Sequence, residues 1–296
     1  MVLKSQRQKD ILFDSFIYIV LFMMALILLY PFYYVFIASF NKGSDTLLGG
    51  IYLWPRRVTL ENYKIFLEDP KWYGAFLITV ARTVSGTALG LLLTSLVAYA
   101  LSQRDLLFSK TYFTVIIFAM YFSGGLIPYY VVLRSIGLLN SFAVYIVPSM
   151  LNTFFLLIAI SFFREIPGEL KESAHIDGAG ELKIFFRIIL PVSTPVLATM
   201  ALFMGVGQWN SWLDSAYFVQ SENMRTLTFR MMEVINKSNS PMDSLAVANS
   251  ASASAGVTSF SLQVTAMVIS IVPIICVYPF LQKYFVHGIM LGSVKG

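Results

Sequence analysis

The sequence predicts an all-α integral membrane protein with six transmembrane helices, on three observations. Of its 296 residues, 57% are hydrophobic and only 12% charged, about half the ~25% charge of an average soluble domain. Several apolar runs reach the ~20 residues that a helix needs to cross a bilayer, beyond the ~10 to 14 of a buried core helix. The short alternating strands of a barrel are missing, and backbone amides in lipid must then bond within their own helix.

The expected spans are Ile11 to Phe40, Gly74 to Leu101, Thr111 to Leu133, Phe142 to Phe163, Pro191 to Trp209 and Gln263 to Phe285. The first run is long and is followed by no small-residue cleavage site, so it reads as a span and not as a cleavable signal peptide. Lys4, Arg7 and Lys9 precede it, which places the N-terminus in the cytoplasm, and six crossings return the C-terminus there. Arg104, Lys110, Arg164, Lys171, Lys183, Arg187 and Lys295 then share the cytoplasmic side, with Lys283 near the inner end of span six. Lys42, Arg56, Arg57, Lys64, Lys71, Arg134, Arg225, Arg230 and Lys237 fall outside, mostly spread over longer segments. The net charge of +5 is scattered over short loops, which fits membrane topology and not nucleic-acid binding. Cys276 is the sole cysteine and forms no intramolecular disulfide. Three segments follow: 1–73 with the cytoplasmic tail, first span and first outside loop, 74–285 with the five-helix core, and 286–296 as a cytoplasmic tail.

Two outside segments exceed the ~15 residues beyond which loops are usually functional or disordered. Asn41 to Tyr73 carries Trp54-Pro55 and Glu61-Asn62-Tyr63, a pattern for a small amphipathic segment at the interface. The second, 210–262, has a helix-like stretch from Thr226 to Val234 and a small, polar run from Asn249 to Ser259. No internal repeat is visible, which weakens carrier folds built from inverted repeats.

Catalytic chemistry finds little footing. His175 and His287 stand without acidic or cysteine partners at ligand spacing, so metal or general-base work is not expected. No glycine loop with a P-loop lysine is present, so the chain binds no ATP of its own. Arg82 is the one deep charge, about eight residues into span two and so ~12 Å down at 1.5 Å per residue. Two roles are open to it: snorkelling outward or capping a carbonyl, or facing a hydrated path to meet a solute. Tyr121, Ser123, Ser149, Asn152, Thr153, Gln208 and Trp209 also lie at membrane depth. Aromatic faces and amides suit the C–H surfaces and hydroxyls of a saccharide, and the same palette serves helix packing.

The most distinctive stretch is a polar interruption between spans four and five, residues 164–191. Ile166-Pro167-Gly168-Glu169 opens it, proline being suited to the first turn of a helix. A short helix continues to about Ile176, Asp177-Gly178-Ala179-Gly180 breaks it, and a second short helix from Glu181 stops at Pro191. The product is a helix, a sharp bend and a helix, an elbow anchored in flanking spans.

Glu172, Ser173, Ala174, then Gly178, then Ile188, Leu190 and Pro191 resemble, almost position for position, the coupling motif of binding-protein-dependent ABC importer permeases. Ser173, where alanine is usual, is the departure. Tyr30-Pro31-Phe32, Ala98-Tyr99-Ala100-Leu101-Ser102, Trp209-Asn210-Ser211-Trp212 and Tyr278 to Phe285 with Gly292 to Gly296 extend the resemblance over nearly the whole chain. The sequence is similar to the smaller permease of the maltose-importer type, in the branch serving larger or acidic oligosaccharides. The resemblance implies the type I ABC importer permease fold with a cytoplasmic coupling-helix elbow, in the bacterial inner membrane. It implies three partners besides lipid: a second homologous permease, a cytoplasmic ATPase dimer holding ATP and Mg, and an extracytoplasmic solute-binding protein. Glu172, Ser173, Ala174, Asp177, Gly178, Ile188, Leu190 and Pro191 would meet the ATPase, together with the tail residues Lys295 and Gly296. Arg82, Tyr121, Asn152, Gln208 and Trp209 are the candidates for the solute path. Asn249, Ser250, Ser252, Ser254 and Gly256 would reach the solute-binding protein. The alternative is an ATP-independent carrier or channel for a polar solute, which calls for charge at the midplane, where only Arg82 qualifies. Excising Asn249 to Ser259 is expected to impair transport and leave assembly intact, as uptake assays on the deletion variant would register.

Overall fold

The computed structural model describes residues 2–103, 105–238 and 256–292, and these are helical with no strand among them. In chain order the helices are α1 (Val2–Ser39), α2 (Gly43–Thr46), α3 (Glu61–Glu68), α4 (Pro70–Ser102), α5 (Ser109–Tyr121) and α6 (Leu126–Ser135). Then come α7 (Thr153–Glu165), α8 (Glu169–Ile176), α9 (Glu181–Ile184), α10 (Leu190–Val192), α11 (Thr194–Asn210), α12 (Leu213–Phe218), α13 (Leu227–Ser238) and α14 (Ser259–Gly292). Three stretches are long and apolar enough to cross a membrane unbroken: Phe13–Ser39, Pro70–Ser102 and Ser259–Cys276. Three further apolar helix pairs are each bent at a short break, and the total is up to six if each pair is one span.

The bent pairs depart from the continuous helices expected of spans three to five. Span three breaks between α5 and α6 with a 115° bend. Gly125 sits there at φ +83°, a conformation that side chains resist. Span four begins as two short 3-10 turns, Phe142–Tyr145 and Val147–Ser149, and turns by 44° into α7. Asn152 caps α7, its Oδ1 accepting from the Phe154 and Phe155 amides at 3.0 and 3.2 Å, which satisfies donors that a helix start leaves open. The second elbow helix does not stop at Pro191. It widens into a π turn over Phe185–Ile189, carries Pro191 within α10, and bends 83° into α11 at Ser193. A proline lacks the N–H of the regular ladder and crowds the preceding turn, and a widened turn accommodates that loss.

Two compact units divide the chain: 1–68 with 233–271, and 69–232 with 272–296. In the first, Asn41 is the organiser. Its Nδ2 donates to Asp45 Oδ2 and Thr46 Oγ1 at 3.0 and 2.9 Å, and its Oδ1 accepts from the Arg57 amide at 2.8 Å. Asn62 Nδ2 bonds the carbonyls of Ser39 and Asn41 at 2.8 and 3.0 Å, pinning α3 to the end of α1. The Asn41 bond, with Arg56 3.1 Å away, holds the Asp45 carboxyl below its ordinary value. By contrast, the apolar flank of α1 from Phe13 to Phe36 is exposed throughout the chain's own fold, as a helix facing lipid or another subunit would be.

In the second unit α4 is the axis. Ala75, Thr79, Arg82, Gly86, Gly90, Thr94, Ala98 and Ser102 are buried at three- and four-residue steps, the spacing of one helical face. Small residues on this stripe let neighbours approach closely, which is how helices associate where lipid offers no hydrophobic drive. A β-carbon on Gly90 would lie 2.8 Å from Met204 Cε, and one on Gly86 would lie 2.7 Å from Gln208 Nε2. The core beside the elbow is formed by Tyr99, Leu156, Ile160, Phe163, Ala174, Ile184, Phe185 and Ile189. Beyond α12, Arg230 Nη2 donates to Glu222 Oε2 at 2.5 Å. That bond, with Arg225 close by, depresses the Glu222 carboxyl below its ordinary 4.5. A depressed carboxyl contributes stability above its unfolded value and loses it as pH falls through the folded one. Glu222→Gln is therefore expected to lower thermal stability by up to about 1 kcal/mol at neutral pH, with the difference shrinking in a melting series as pH falls below the ordinary 4.5 toward the depressed folded value.

Candidate functional site

Two places gather polar side chains with definite geometry, the elbow and a buried network around Arg82. In the elbow, α8 turns its small residue inward: Ala174 is buried against the core, while Glu172, Ser173, Asp177 and Gly178 are exposed. Ile176, an apolar side chain at the tip, is 87% exposed. Gly178 closes the helix at φ +75°, its amide bonding the His175 carbonyl and the Ala179 amide bonding the Ala174 carbonyl at 3.0 and 2.9 Å. The left-handed glycine is the usual terminator of such a helix. A β-carbon there would meet nothing within 4 Å, so within this chain the backbone angle alone demands glycine. Ile188 and Leu190 are half-buried on the inner face and Pro191 is exposed.

The elbow is clamped to the last turn of α4. Tyr99 Oη donates to Glu181 Oε2 at 2.5 Å, and His175 Nε2 lies 3.2 Å from Glu181 Oε1, so one carboxylate ties both halves of the elbow to the span. Lys171 Nζ lies 5.1 Å from the Tyr99 ring centroid and 3.4 Å from Gln103 Oε1. Arg164 stacks over Phe113 and donates to the Leu101 carbonyl. These connections escape a linear reading, since Tyr99 and Glu181 are 82 residues apart.

Arg82 does cap a carbonyl, one of the roles open to it, and adds an ion pair that the sequence reading did not include. Counted from the start of α4 it lies ~18 Å along the helix at 1.5 Å per residue, and it is only 2% exposed. Its Nη2 donates to Asp214 Oδ2 at 2.5 Å and its Nη1 to Asp214 Oδ1 at 3.1 Å, a bidentate pair. Nε donates to Gln208 Oε1 and Nη1 also to the Ser211 carbonyl, both at 3.1 Å. The guanidinium carbon sits 4.6 Å from the Tyr145 ring centroid. Arg82 is thus a closed internal joint and not a charge waiting for solute. Asp214 is the residue that sequence reasoning missed. The signal was available: an aspartate three residues after Ser211, at the end of an apolar run, is a natural partner for the one deep cation.

The network spreads from there. Gln208 Nε2 donates to Ser149 Oγ at 2.6 Å. Tyr145 Oη donates to the Met224 carbonyl at 2.8 Å and lies 3.1 Å from Ser215 Oγ, which accepts from the Thr226 amide. Thr79 Oγ1 accepts from the Leu227 amide at 2.8 Å. Gln208 and Trp209 are accordingly buried packing residues. Tyr121 is exposed at the end of α5, and Asn152 is exposed with its oxygen engaged in the cap. Gly256 is buried at φ +74°, with a β-carbon position only 2.0 Å from Lys42 Cε. It is a tight joint and not the exposed contact expected of it. Asn249, Ser250, Ser252, Ser254, Lys295 and Gly296 lie outside the described residues.

No protein-family model matches the chain. It is 37% identical over 288 residues, 97% of its length and all of the relative's, to the polygalacturonan/rhamnogalacturonan transport system permease protein YtcP of Bacillus subtilis strain 168. The chain belongs to the ABC-transporter sugar permeases. The arabinooligosaccharides transport system permease protein AraQ of Halalkalibacterium halodurans is 30% identical, over 92% of the permease described here and 93% of AraQ. Among solved structures, a chain of a bacterial ABC transporter involved in the import of the acidic polysaccharide alginate superposes with a TM-score of 0.85 at 27% identity. That match covers 94% of this permease and 98% of the alginate chain. A chain of the bacterial alginate ABC transporter in complex with an alginate pentasaccharide-bound periplasmic protein matches at TM-score 0.58 and 14% identity, over 92% and 94% of the two chains. At that identity it speaks for the fold alone.

A bidentate pair largely removed from solvent leaves a costly unpaired charge when one partner is removed, up to about 3 to 5 kcal/mol where burial is complete and less here because Asp214 is partly exposed. Asp214→Ala and Arg82→Ala are each expected to lower the melting temperature of the purified permease strongly. The double variant is expected to recover part of the loss, as a double-mutant cycle in detergent would measure.

Proposed function

We propose that this permease forms half of the translocation path of an ATP-driven importer for an oligosaccharide, neutral or acidic, delivered by a solute-binding protein. The observation that carries this reading is the elbow. Its outer face presents Glu172, Asp177 and a protruding Ile176, while its inner face shares a core with α4 and α7. An exposed isoleucine flanked by carboxylates suits a cleft in another protein. The open space beyond Gly178 lets a partner's backbone come close. ATP and Mg belong to the ATPase subunits that this elbow would enter, with the tail at Lys295 and Gly296 reaching between them.

In this arrangement each bent pair serves as one crossing, giving six, with both termini in the cytoplasm. Closure of the ATPase dimer moves the elbow as a rigid body, and Glu181 and Lys171 pass the displacement to α4. The small-residue stripe of α4 then carries it to α7 and α11. The exposed flank of α1 suits lipid or the second permease. The segment from Asn249 to Ser259 would enter the solute-binding protein. Relatives named for polygalacturonan/rhamnogalacturonan and for arabinooligosaccharides, and a structural neighbour named for alginate, support a saccharide cargo. The neutralised state of Arg82 counts against an ion-coupled carrier, since no deep charge among the described residues is left to bind a coupling ion.

Glu172→Lys reverses the charge presented to the ATPase, and Gly178→Pro removes the left-handed angle. Both are expected to abolish co-purification of the ATPase and to reduce sugar uptake by tenfold or more, an effect of about 1.4 kcal/mol or greater. Pull-down from membranes checks this, and unchanged co-purification for both variants would sink the proposal.

A further inference from the structure

We infer that this permease carries a subsite for an uncharged sugar ring in the cavity between α6, the turns of 142–149 and α12. The inference rests on the saccharide-import reading and assigns part of the cargo's recognition to this chain. The cavity holds about 510 Å³ and is bordered by Tyr129, Tyr145, Ser149, Asp214, Tyr217 and Phe218 among others. A volume of this size falls within the ~300 to 1,000 Å³ of small-molecule sites.

Its chemistry is that of a hydroxyl-rich ring and not of an anion. Tyr129 and Tyr217 expose their rings, and Tyr129 stands edge-on to Phe218 with centroids 5.6 Å apart, so the aromatic wall is held in place. Among the described residues neither the Tyr129 nor the Tyr217 hydroxyl makes a hydrogen bond, which leaves two donor-acceptor groups at the rim. Asp214 is the sole charged lining residue. Its Oδ1 accepts from Arg82, Ser211 Oγ and the Ser215 amide, whereas Oδ2 accepts from Arg82 alone. Its side chain is 20% exposed. One carboxylate lone pair therefore remains for a hydroxyl donor, polarised by a buried guanidinium that no ligand can reach. A uronate carboxylate entering here would face Asp214 with no free cation to offset it, since Arg82 is fully enclosed. An uncharged or esterified ring would place C–H faces on the tyrosines and a hydroxyl on Asp214.

The neighbouring hollow lined by Phe76, Val80, Trp209 and Pro273 offers a useful contrast. It holds about 280 Å³ and is almost wholly apolar, with the Thr83 hydroxyl its one hydroxyl among the lining side chains, so it offers fewer groups to hold a sugar's hydroxyls.

The test uses the full importer complex in nanodiscs with two probes of the same length, a galacturonan trisaccharide and its methyl ester. Saturation-transfer NMR without the solute-binding protein reads direct contact between ring C–H protons and the permease. The expected result is clear transfer to the ester, weaker transfer to the free acid, and a drop of about fivefold or more in Tyr129→Ala/Tyr217→Ala, as losing roughly one net contact implies. Tyr217→Phe, which keeps the ring and cannot empty the fold, should retain stacking and lose part of the signal. Equal transfer to the complex with and without the two tyrosines, preference for the free acid, or no transfer to the wild type would each overturn the inference. Uptake of the same probes with the solute-binding protein present is read separately. Failure there with ester contact intact would defeat the import reading and leave the subsite standing.

Discussion

The second unit is organised around one buried ion pair. Arg82 on α4 and Asp214 at the start of α12 meet within a polar network of Gln208, Ser211, Ser215 and Tyr145, with Arg82 almost wholly removed from solvent, where an unpaired charge is costly. The pair therefore dictates where the chain goes after α11. Ser211 must turn its carbonyl toward the guanidinium, Gln208 must lie across Gly86, and Tyr145 must cover the cation with its ring. With those fixed, Ser215 and Thr79 receive the amides of Thr226 and Leu227, and the long segment following α12 is laid back onto α4. A packed interior of aliphatic side chains would not specify this path so tightly, because hydrophobic contact is not directional.

At the other end of α4 the same helix is joined to the elbow through directional contacts instead of bulk packing. A hydroxyl, a carboxylate, an imidazole and an ammonium group converge within two turns of Tyr99. α4 thus holds the buried pair in its first half and the contacts to the elbow in its last turn, with glycine and small hydroxyl residues between.

Much of this was legible in the sequence, and the reasons are physical. Apolar length announces membrane helices, and the elbow announces itself through proline and glycine at positions that only special backbone angles explain. The bounds of the elbow's first helix follow from such local signals, whereas α4 begins at Pro70, four residues before the expected Gly74, because Asp69 caps it. What sequence could not yield were the breaks in spans three to five, because Gly125, Asn152 and Ser193 act within runs whose hydrophobicity is continuous. Nor could it yield pairings across long separations. Arg82 was visible as an anomaly, but its resolution by Asp214 depends on the chain returning from α11 at one particular angle. The elbow's attachment to Tyr99 is of the same kind.

The π turn at Phe185–Ile189 has a consequence for how the elbow and α11 are kept in step. A helix advances about 100° per residue, so a widened turn works as a phase shifter: it resets the faces of everything downstream relative to everything upstream. Ile184, Phe185 and Ile189 point into the core on one side of that reset, and Met200, Met204 and Gln208 do so on the other. Removing one residue from the turn would rotate the stretch that follows it by roughly a quarter of a circle and re-aim the 83° bend at Ser193 from which α11 departs. The direction in which α11 leaves the elbow, and with it the place of Gln208 beside Arg82, thus depends on one irregular turn and one bend.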